Sequence, residues 1–165
     1  MLKQEVKKSL LKGAMIPAHP LALTEERQLD EAGQRALTRY YIDAGVGGVA
    51  VGVHTTQFEI RDPQFNLYER VLTLAIEEMT KAKVADSFIK IGGISGSTKQ
   101  AIEEATFLKG IGYDLGLLSM GGLQDASEEE LITRTIKVAK IIPVIGFYLQ
   151  PAVGGKFFLM IFGSN

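Results

Sequence analysis

Apolar and polar positions along this chain switch between two kinds of pattern about five times. Short, nearly continuous apolar runs occur at residues 14–18, 48–53, 88–91, 113–119 and 143–149. Segments with apolar residues at helical spacing occur at residues 2–12, 30–44, 67–82, 97–108 and 127–141. Short apolar runs indicate strands buried on both faces, and the spaced segments indicate amphipathic helices. The alternation predicts an α/β fold with a parallel sheet.

Local signals at the ends of these segments support their bounds. Asp30 precedes one helical segment as a capping residue, and Ser127 followed by Glu130 forms a capping-box pattern. The pair Gly92-Gly93 is predicted to end the third strand, and Gly110 and Gly112 to end the helix that follows it.

The number of strand–helix units falls short of a closed barrel. A (β/α)8 TIM barrel has eight units and about 250 residues. This chain has 165 residues and about five predicted strands. We therefore expect a partial TIM barrel that stops before strand six. Residues 1–155 would form this N-terminal part of a barrel domain, and residues 156–165 an aberrant apolar tail with neither helical nor strand periodicity.

Composition narrows the classes of partner and compartment. The net charge is -1, which argues against a nucleic-acid or membrane-surface partner. There is no cysteine, which excludes disulfides and thiolate chemistry. No apolar run approaches the ~18 residues of a membrane-spanning helix. These features together favour a cytoplasmic protein.

Polar residues follow each predicted strand. They are His19 after the first, His54, Thr55, Thr56 and Gln57 after the second, Ser95, Gly96 and Ser97 after the third, Ser119 after the fourth, and Tyr148 and Gln150 at the end of the fifth. The carboxyl ends of barrel strands meet at one face, which carries the active site in βα barrels. The alternative is that small polar residues simply end strands.

Other chemistries find less support in the sequence. His19 and His54 could form a metal site with Glu59 or Asp62, but their spacing matches no compact ligand motif, and no metal site is predicted. The glycine-rich segment 92–96 could bind a phosphate ahead of a helix. It lacks the lysine–serine pair of a P-loop and the Rossmann glycine spacing, so no cofactor is predicted.

Several segments, in order, are similar to one enzyme family. They are AGVGGVAV at 44–51, the threonine pair 55–56, IGGISGST at 91–98, PVI at 143–145 and YLQP at 148–151. Across about residues 13–155 the chain resembles the dihydrodipicolinate synthase and N-acetylneuraminate lyase family, the pyruvate-type class I aldolases. The resemblance implies a lyase that acts on pyruvate or a related 2-keto acid. A homo-oligomer is expected for a different reason, because a partial barrel leaves open sheet edges.

The resemblance also implies roles for particular residues. In that family a lysine on strand six forms a Schiff base with the keto acid. Thr55 and Thr56 would bind the substrate carboxylate, and Tyr148 would relay protons as a catalytic residue. No residue here matches the Schiff-base lysine, so we expect the chain alone to be inactive. Lys156 is the lysine nearest the fifth strand, and whether Lys90 faces the barrel centre or the helices stays open.

The departures from the family pattern indicate a divergent subgroup. His54 stands where the family loop has glycine, Gln57-Phe58 stand where it has glycine–glutamate, and Ser119 is the polar residue near the position of a second family tyrosine. Two hypotheses remain. The chain is the N-terminal part of a keto-acid lyase, or it is a non-catalytic half-barrel that self-associates through open sheet edges.

Overall fold

The computed structural model describes residues 2–147. The elements, in chain order, are α1 (Gln4–Lys12), α2 (Glu31–Asp43), β1 (Gly48–Val51), α3 (Tyr68–Lys81), β2 (Ile89–Ile94), α4 (Thr98–Ile111), β3 (Leu115–Ser119), α5 (Glu128–Ala139) and β4 (Val144–Phe147). Short 3-10 turns at His54–Thr56 and Phe58–Arg61 connect β1 to α3. Within the described range, no helix is long and apolar enough to cross a membrane. The predicted tail at 156–165 lies outside that range.

The four strands form one parallel sheet in the order β1-β2-β3-β4. Each strand pairs with the next one in sequence, with a helix in the connection, and this confirms the predicted α/β architecture. The register aligns Ala50 with Ile91 and Ile91 with Leu115. All carboxyl ends therefore point to the same edge of the sheet.

The prediction of a full first strand at residues 14–18 was wrong. The segment runs beside β1 and forms one parallel bridge, between Ala18 and Ala50. Ala50 N donates to Pro17 O at 3.0 Å, and His19 N donates to Ala50 O at 2.8 Å. Pro17 has no N–H to donate, which interrupts the ladder. The described sheet thus has four strands and one extended flanking segment.

The sheet buries a different cluster on each face. The inner face carries Ala50, Ile89, Ile91 and Leu115, and Val6 of α1 is fully buried against them. The outer face carries a larger cluster shared with helices α3, α4 and α5. Since side chains alternate along a strand, Lys90 between two inner residues faces the helix side, which answers the question left open by the sequence.

The predicted helix starts are confirmed. Asp30 Oδ1 accepts from Gly33 N at 2.9 Å at the start of α2. Ser127 forms the full capping box with Glu130 at the start of α5, in which each side chain bonds the other residue's backbone N–H.

The glycines of β2 and α4 correct the predicted bounds. Gly92 and Gly93 lie inside β2, which continues to Ile94. A Cβ on Gly93 would fall 2.1 Å from Gly52 O, so this glycine permits close approach of the residue after β1 instead of ending β2. Gly110 lies within α4, and Gly112, with φ +100°, caps its end.

Candidate functional site

A small pocket lies where the carboxyl ends of the four strands meet. Its lining residues are Val53, His54, Phe58, Gly93, Ile94, Leu117, Ser119 and Phe147. Among these residues, His54 and Ser119 carry the polar side chains. The pocket is at the edge where strand-end chemistry is expected in βα folds.

The two predicted carboxylate-binding threonines lie at this edge, in different environments. Both belong to the 3-10 turn His54–Thr56 that follows β1. Thr56 is fully buried, and its Oγ1 donates to His19 O at 2.6 Å and accepts from Gly52 N at 3.0 Å. Thr55 is exposed. Thr56 therefore fixes the turn, and Thr55 presents its hydroxyl to solvent.

His19 is enclosed at the start of the same edge. Its Nδ1 is 2.8 Å from Pro20 O, and its Nε2 is 2.9 Å from Thr38 Oγ1. Burial lowers the pKa of His19, partly opposed by the bond to the Pro20 carbonyl. The imidazole is therefore neutral near pH 7 and connects the segment after residue 18 to α2.

The two histidines do not form a metal site with nearby acids. Among residues 2–147, no group of three or more histidine, aspartate or glutamate side chains could hold a metal ion. His54 is exposed, and its ring contacts the Phe58 ring edge-on, with 5.9 Å between the ring centroids.

Ser119 Oγ accepts a hydrogen bond from Gly121 N at 3.1 Å and so closes the turn after β3.

A buried ion pair that sequence reasoning missed joins three elements at this edge. Arg61 Nε donates to Glu104 Oε1 at 2.8 Å, and Arg61 Nη2 donates to the carbonyls of Gly52 and Gly93, each at 3.0 Å. The guanidinium also lies over the Tyr68 ring, 4.3 Å from its centroid. Arg61 thereby ties the loop after β1 to β2 and to α4.

Tyr68 completes this cluster from the start of α3. Its hydroxyl donates to Gly93 O at 2.7 Å. Burial raises the pKa of Tyr68 well above its usual value, as does the nearby Glu104 carboxylate, so the phenol stays neutral. This tyrosine acts on the backbone of β2 as a hydrogen-bond donor.

A second buried arginine, also missed, lies under the loop after β3. Arg134 is 2% exposed, and its Nε donates to Gly96 O at 3.1 Å. Its Nη1 lies 3.6 Å from Met120 Sδ, and its Nη2 has no hydrogen-bond partner in the described part of the chain. Burial lowers the pKa of Arg134.

The spacing of residues along α4 and α5 could have indicated that Glu104 and Arg134 are buried. Glu104 shares the buried stripe of α4 with Ala101, Ala105 and Leu108, and Arg134 shares that of α5 with Leu131 and Val138. A charged residue at a buried position of a stripe indicates a paired or functional group. The partners could not be found this way, because Arg61 and Glu104 are 43 residues apart.

The predicted catalytic residue Tyr148 lies outside the described residues. Phe147, which precedes it, ends β4 and lines the pocket. The carboxylate-binding roles of Thr55 and Thr56 and the proton-relay role of Tyr148 stay predictions.

No family model and no curated protein matches the chain. N-acetylneuraminate lyase from Fusobacterium nucleatum is a structural match at 21% identity with a TM-score of 0.72, covering 88% of this chain and 49% of that chain. Dihydrodipicolinate synthase from Aquifex aeolicus matches at 21% identity and a TM-score of 0.72, covering 86% and 46%.

A third structural match was solved with a small molecule bound. YagE from E. coli K12, a prophage protein belonging to the dihydrodipicolinic acid synthase family, was solved in complex with pyruvate. It matches at 24% identity and a TM-score of 0.73, covering 86% of this chain and 46% of that chain. The chain thus spans about half the length of these proteins. The resemblance inferred from sequence is confirmed at the level of fold, and the chain has the fold of part of an N-acetylneuraminate lyase or dihydrodipicolinate synthase barrel.

Proposed function

We propose that this chain forms the keto-acid-binding part of a cytoplasmic carbon–carbon lyase or aldolase that acts on pyruvate or a related 2-keto acid. The observation that carries the proposal is the His54–Thr56 turn at the carboxyl end of β1, beside the strand-end pocket. Support comes from the shared fold with the pyruvate complex of YagE.

The two threonines have different roles in this proposal. The exposed Thr55 hydroxyl donates to the substrate carboxylate, since a hydroxyl is a good donor to an ionised acceptor. Thr56 orients the turn through its bonds to His19 O and Gly52 N. Tyr148, next to the pocket residue Phe147, supplies the proton-relay hydroxyl.

The chemistry requires an amine that the sequence does not place at the site. A lysine amine adds to the keto carbonyl, water leaves, and the protonated imine withdraws electrons from the adjacent carbon. That carbon can then gain or lose a carbon–carbon bond. No lysine of the sequence occupies the matching position. In this proposal the 165-residue chain by itself therefore binds the keto acid without forming a covalent bond to it.

Binding is tested by titrating pyruvate into the labelled chain and following backbone amide signals by NMR. We expect shifts centred on residues 52–57. Thr55→Val keeps the side-chain shape and removes the donor, and should weaken binding by about tenfold. Thr106→Val, at an exposed threonine on α4, is the matched control. Unchanged pyruvate affinity in T55V would contradict the proposed role.

Covalent chemistry is tested by borohydride reduction in the presence of pyruvate, followed by intact-mass measurement. We expect no mass gain for the 165-residue chain. A gain localised to one lysine, with Lys156 the first to inspect, would show that this chain forms the Schiff base and would overturn the proposed inactivity.

A second candidate function, a non-catalytic half-barrel that self-associates, is favoured by the sheet edges. Within residues 2–147, β4 pairs with β3 alone, and its Gly146 is exposed. An edge strand offers unpaired backbone groups to another chain. Sedimentation velocity over a hundredfold range of concentration should reveal dimers or larger species. A single monomer peak throughout would count against self-association.

A further inference from the structure

A groove of about 490 Å³ lies between the start of α4 and the side of α5, away from the strand-end pocket. Its lining residues are Ser97, Thr98, Leu123, Ala126, Ser127, Glu129, Glu130, Leu131, Thr133, Arg134 and Lys137. One wall is the amino terminus of a 14-residue helix, where backbone N–H groups and the helix dipole favour negative charge.

Arg134 is the second and independent feature of this groove. Its guanidinium is held against the α4 wall by the bond from Nε to Gly96 O, directly before the helix cap Ser97. It forms no salt bridge among the described residues, where the Glu104 carboxylate attracts it only from a longer distance. Nη2 is both sealed from solvent and without a hydrogen-bond partner. A buried cation of this kind is costly unless something balances it.

The contact at Nη1 shows that the guanidinium has only a weak partner there. Met120 Sδ, 3.6 Å away, is a weak acceptor carried on a flexible, unbranched side chain. Met120 does not line the groove, so an anionic oxygen in the groove would meet the guanidinium from another side and form a shorter and stronger charge-assisted bond than the thioether does.

We propose that this groove binds the oxyanion of a small molecule, a phosphate or a carboxylate group, on the guanidinium of Arg134. Lys137, exposed on the next turn of α5, adds attraction at the rim. The two carboxylates that line the groove belong to the first turn of α5, and Glu130 Oε2 accepts from Ser127 N and Oγ there. The proposal does not depend on the keto-acid site.

The test is a thermal-unfolding titration with inorganic phosphate at constant ionic strength, set by sodium chloride, and a parallel titration with acetate. We expect a saturable rise in the melting temperature with at least one anion, because a ligand that binds the folded state alone stabilises it. Saturation with phosphate alone identifies a phosphoryl group, and saturation with acetate alone identifies a carboxylate. No saturable rise with either anion would overturn the proposal.

Substitutions assign the effect to Arg134. Arg134→Met should abolish the response while leaving the anion-free melting temperature equal or higher, because an unpaired buried charge is replaced by an apolar chain of similar length. Lys137→Met should weaken the response about threefold, and the matched control Lys140→Met, at the C-cap of the same helix, should not change it.

Two results would contradict the assignment. An undiminished anion response in Arg134→Met would show that the anion binds elsewhere. A large fall in the anion-free melting temperature of that variant would indicate a purely structural clamp on Gly96. If Arg134→Met does not fold, Arg134→Lys replaces it, and we expect it to weaken the anion response about tenfold because the planar fork is lost. An unchanged response in Arg134→Lys would equally refute the proposal.

Discussion

Two arginines are buried under neighbouring strand-end loops, and they differ in their partners. The Arg61 side chain is 9% exposed and pairs with Glu104, a carboxylate that is 7% exposed. Arg134, at 2% exposure, forms no ion pair within residues 2–147, and the Glu104 carboxylate acts on its charge only from beyond ion-pair distance. Residue type and burial are nearly matched, and each guanidinium has one buried nitrogen without a hydrogen-bond partner in the described residues, Nη1 of Arg61 and Nη2 of Arg134. The difference between the two sites is the carboxylate bonded directly to Arg61.

The Glu104 carboxylate explains why the first site is a closed structural unit. Besides both Arg61 contacts, it accepts from Ser95 N at 3.0 Å and from Gln100 Nε2 at 2.9 Å. A buried carboxylate with this many donors is fully satisfied and leaves little for a ligand. The second site lacks such an acceptor, and for this reason it is the better candidate for binding an anion.

Glu104→Gln would convert Arg61 into a second unpaired buried arginine and should have the largest effect on stability. Removing the charge of one partner of a buried pair typically costs about 3–5 kcal/mol. We expect a loss of this order in the free energy of unfolding, measured by urea denaturation. Glu103→Gln, an exposed neighbour on the same helix, is the control and should change little. A Glu104→Gln variant as stable as that control would mean the pair contributes no net stability.

Thr56→Val tests the neutral hydrogen bonds of the same closed unit. The change leaves Gly52 N and His19 O without their buried partner, and an unsatisfied buried group costs about 1–3 kcal/mol. We expect a loss in that range, together with weaker pyruvate binding through a disordered turn. Exposed Thr55→Val should leave the free energy of unfolding nearly unchanged. Equal losses in the two variants would contradict the different roles assigned to these threonines.

Met120→Glu would supply the missing partner and make the second site resemble the first. The new carboxylate replaces the thioether beside Arg134 Nη1. The charged hydrogen bond is offset in part by desolvation of the carboxylate, so the net gain in the free energy of unfolding should be about 1 kcal/mol. It should also remove the response to phosphate, because the guanidinium is already occupied. Met120→Gln, of the same shape without charge, is the control. A phosphate response that survives in Met120→Glu would place the anion away from Arg134.

The fold could be predicted from sequence wherever one local pattern determined one element. The strands β1, β3 and β4, the helices α2 to α5 and the capping box at Ser127 follow from apolar runs, helical stripes and cap residues. The prediction that Gly92-Gly93 ends the third strand was wrong because a glycine pair has two physical uses. It can turn the chain, or it can allow another segment of backbone to approach closely. The contact with Gly52 O that decides between them is set by tertiary packing.

The residues of the candidate site could also be predicted only where a local sequence pattern was sufficient. The resemblance to a family located Thr55 and Thr56 after the correct strand, but nothing local distinguishes a buried threonine from an exposed one in adjacent positions. Arg61 and Arg134 were missed because each meets its contacts across elements, at separations of 43 and 38 residues. The helical stripes of α4 and α5 contained the hint, since each placed one charge on a buried face.

The smallest expected effect is the contribution of His19 to the pH dependence of the free energy of unfolding. It tests whether the buried surroundings of this imidazole tolerate a positive charge. Burial lowers the pKa of His19 in the folded state, so the unfolded chain takes up this proton first as the pH falls. The stability that comes from His19 is therefore fully present above its unfolded pKa of about 6.5 and is lost as the pH falls through the lower folded value. The free energy of unfolding should fall between pH 7.5 and pH 5.5, and less so in His19→Gln. His54→Gln, at the other histidine of the chain, which is exposed, is the matched control. If His19→Gln keeps the wild-type pH dependence, the buried imidazole is not its source, and the folded chain accommodates a charge at His19 without loss of stability.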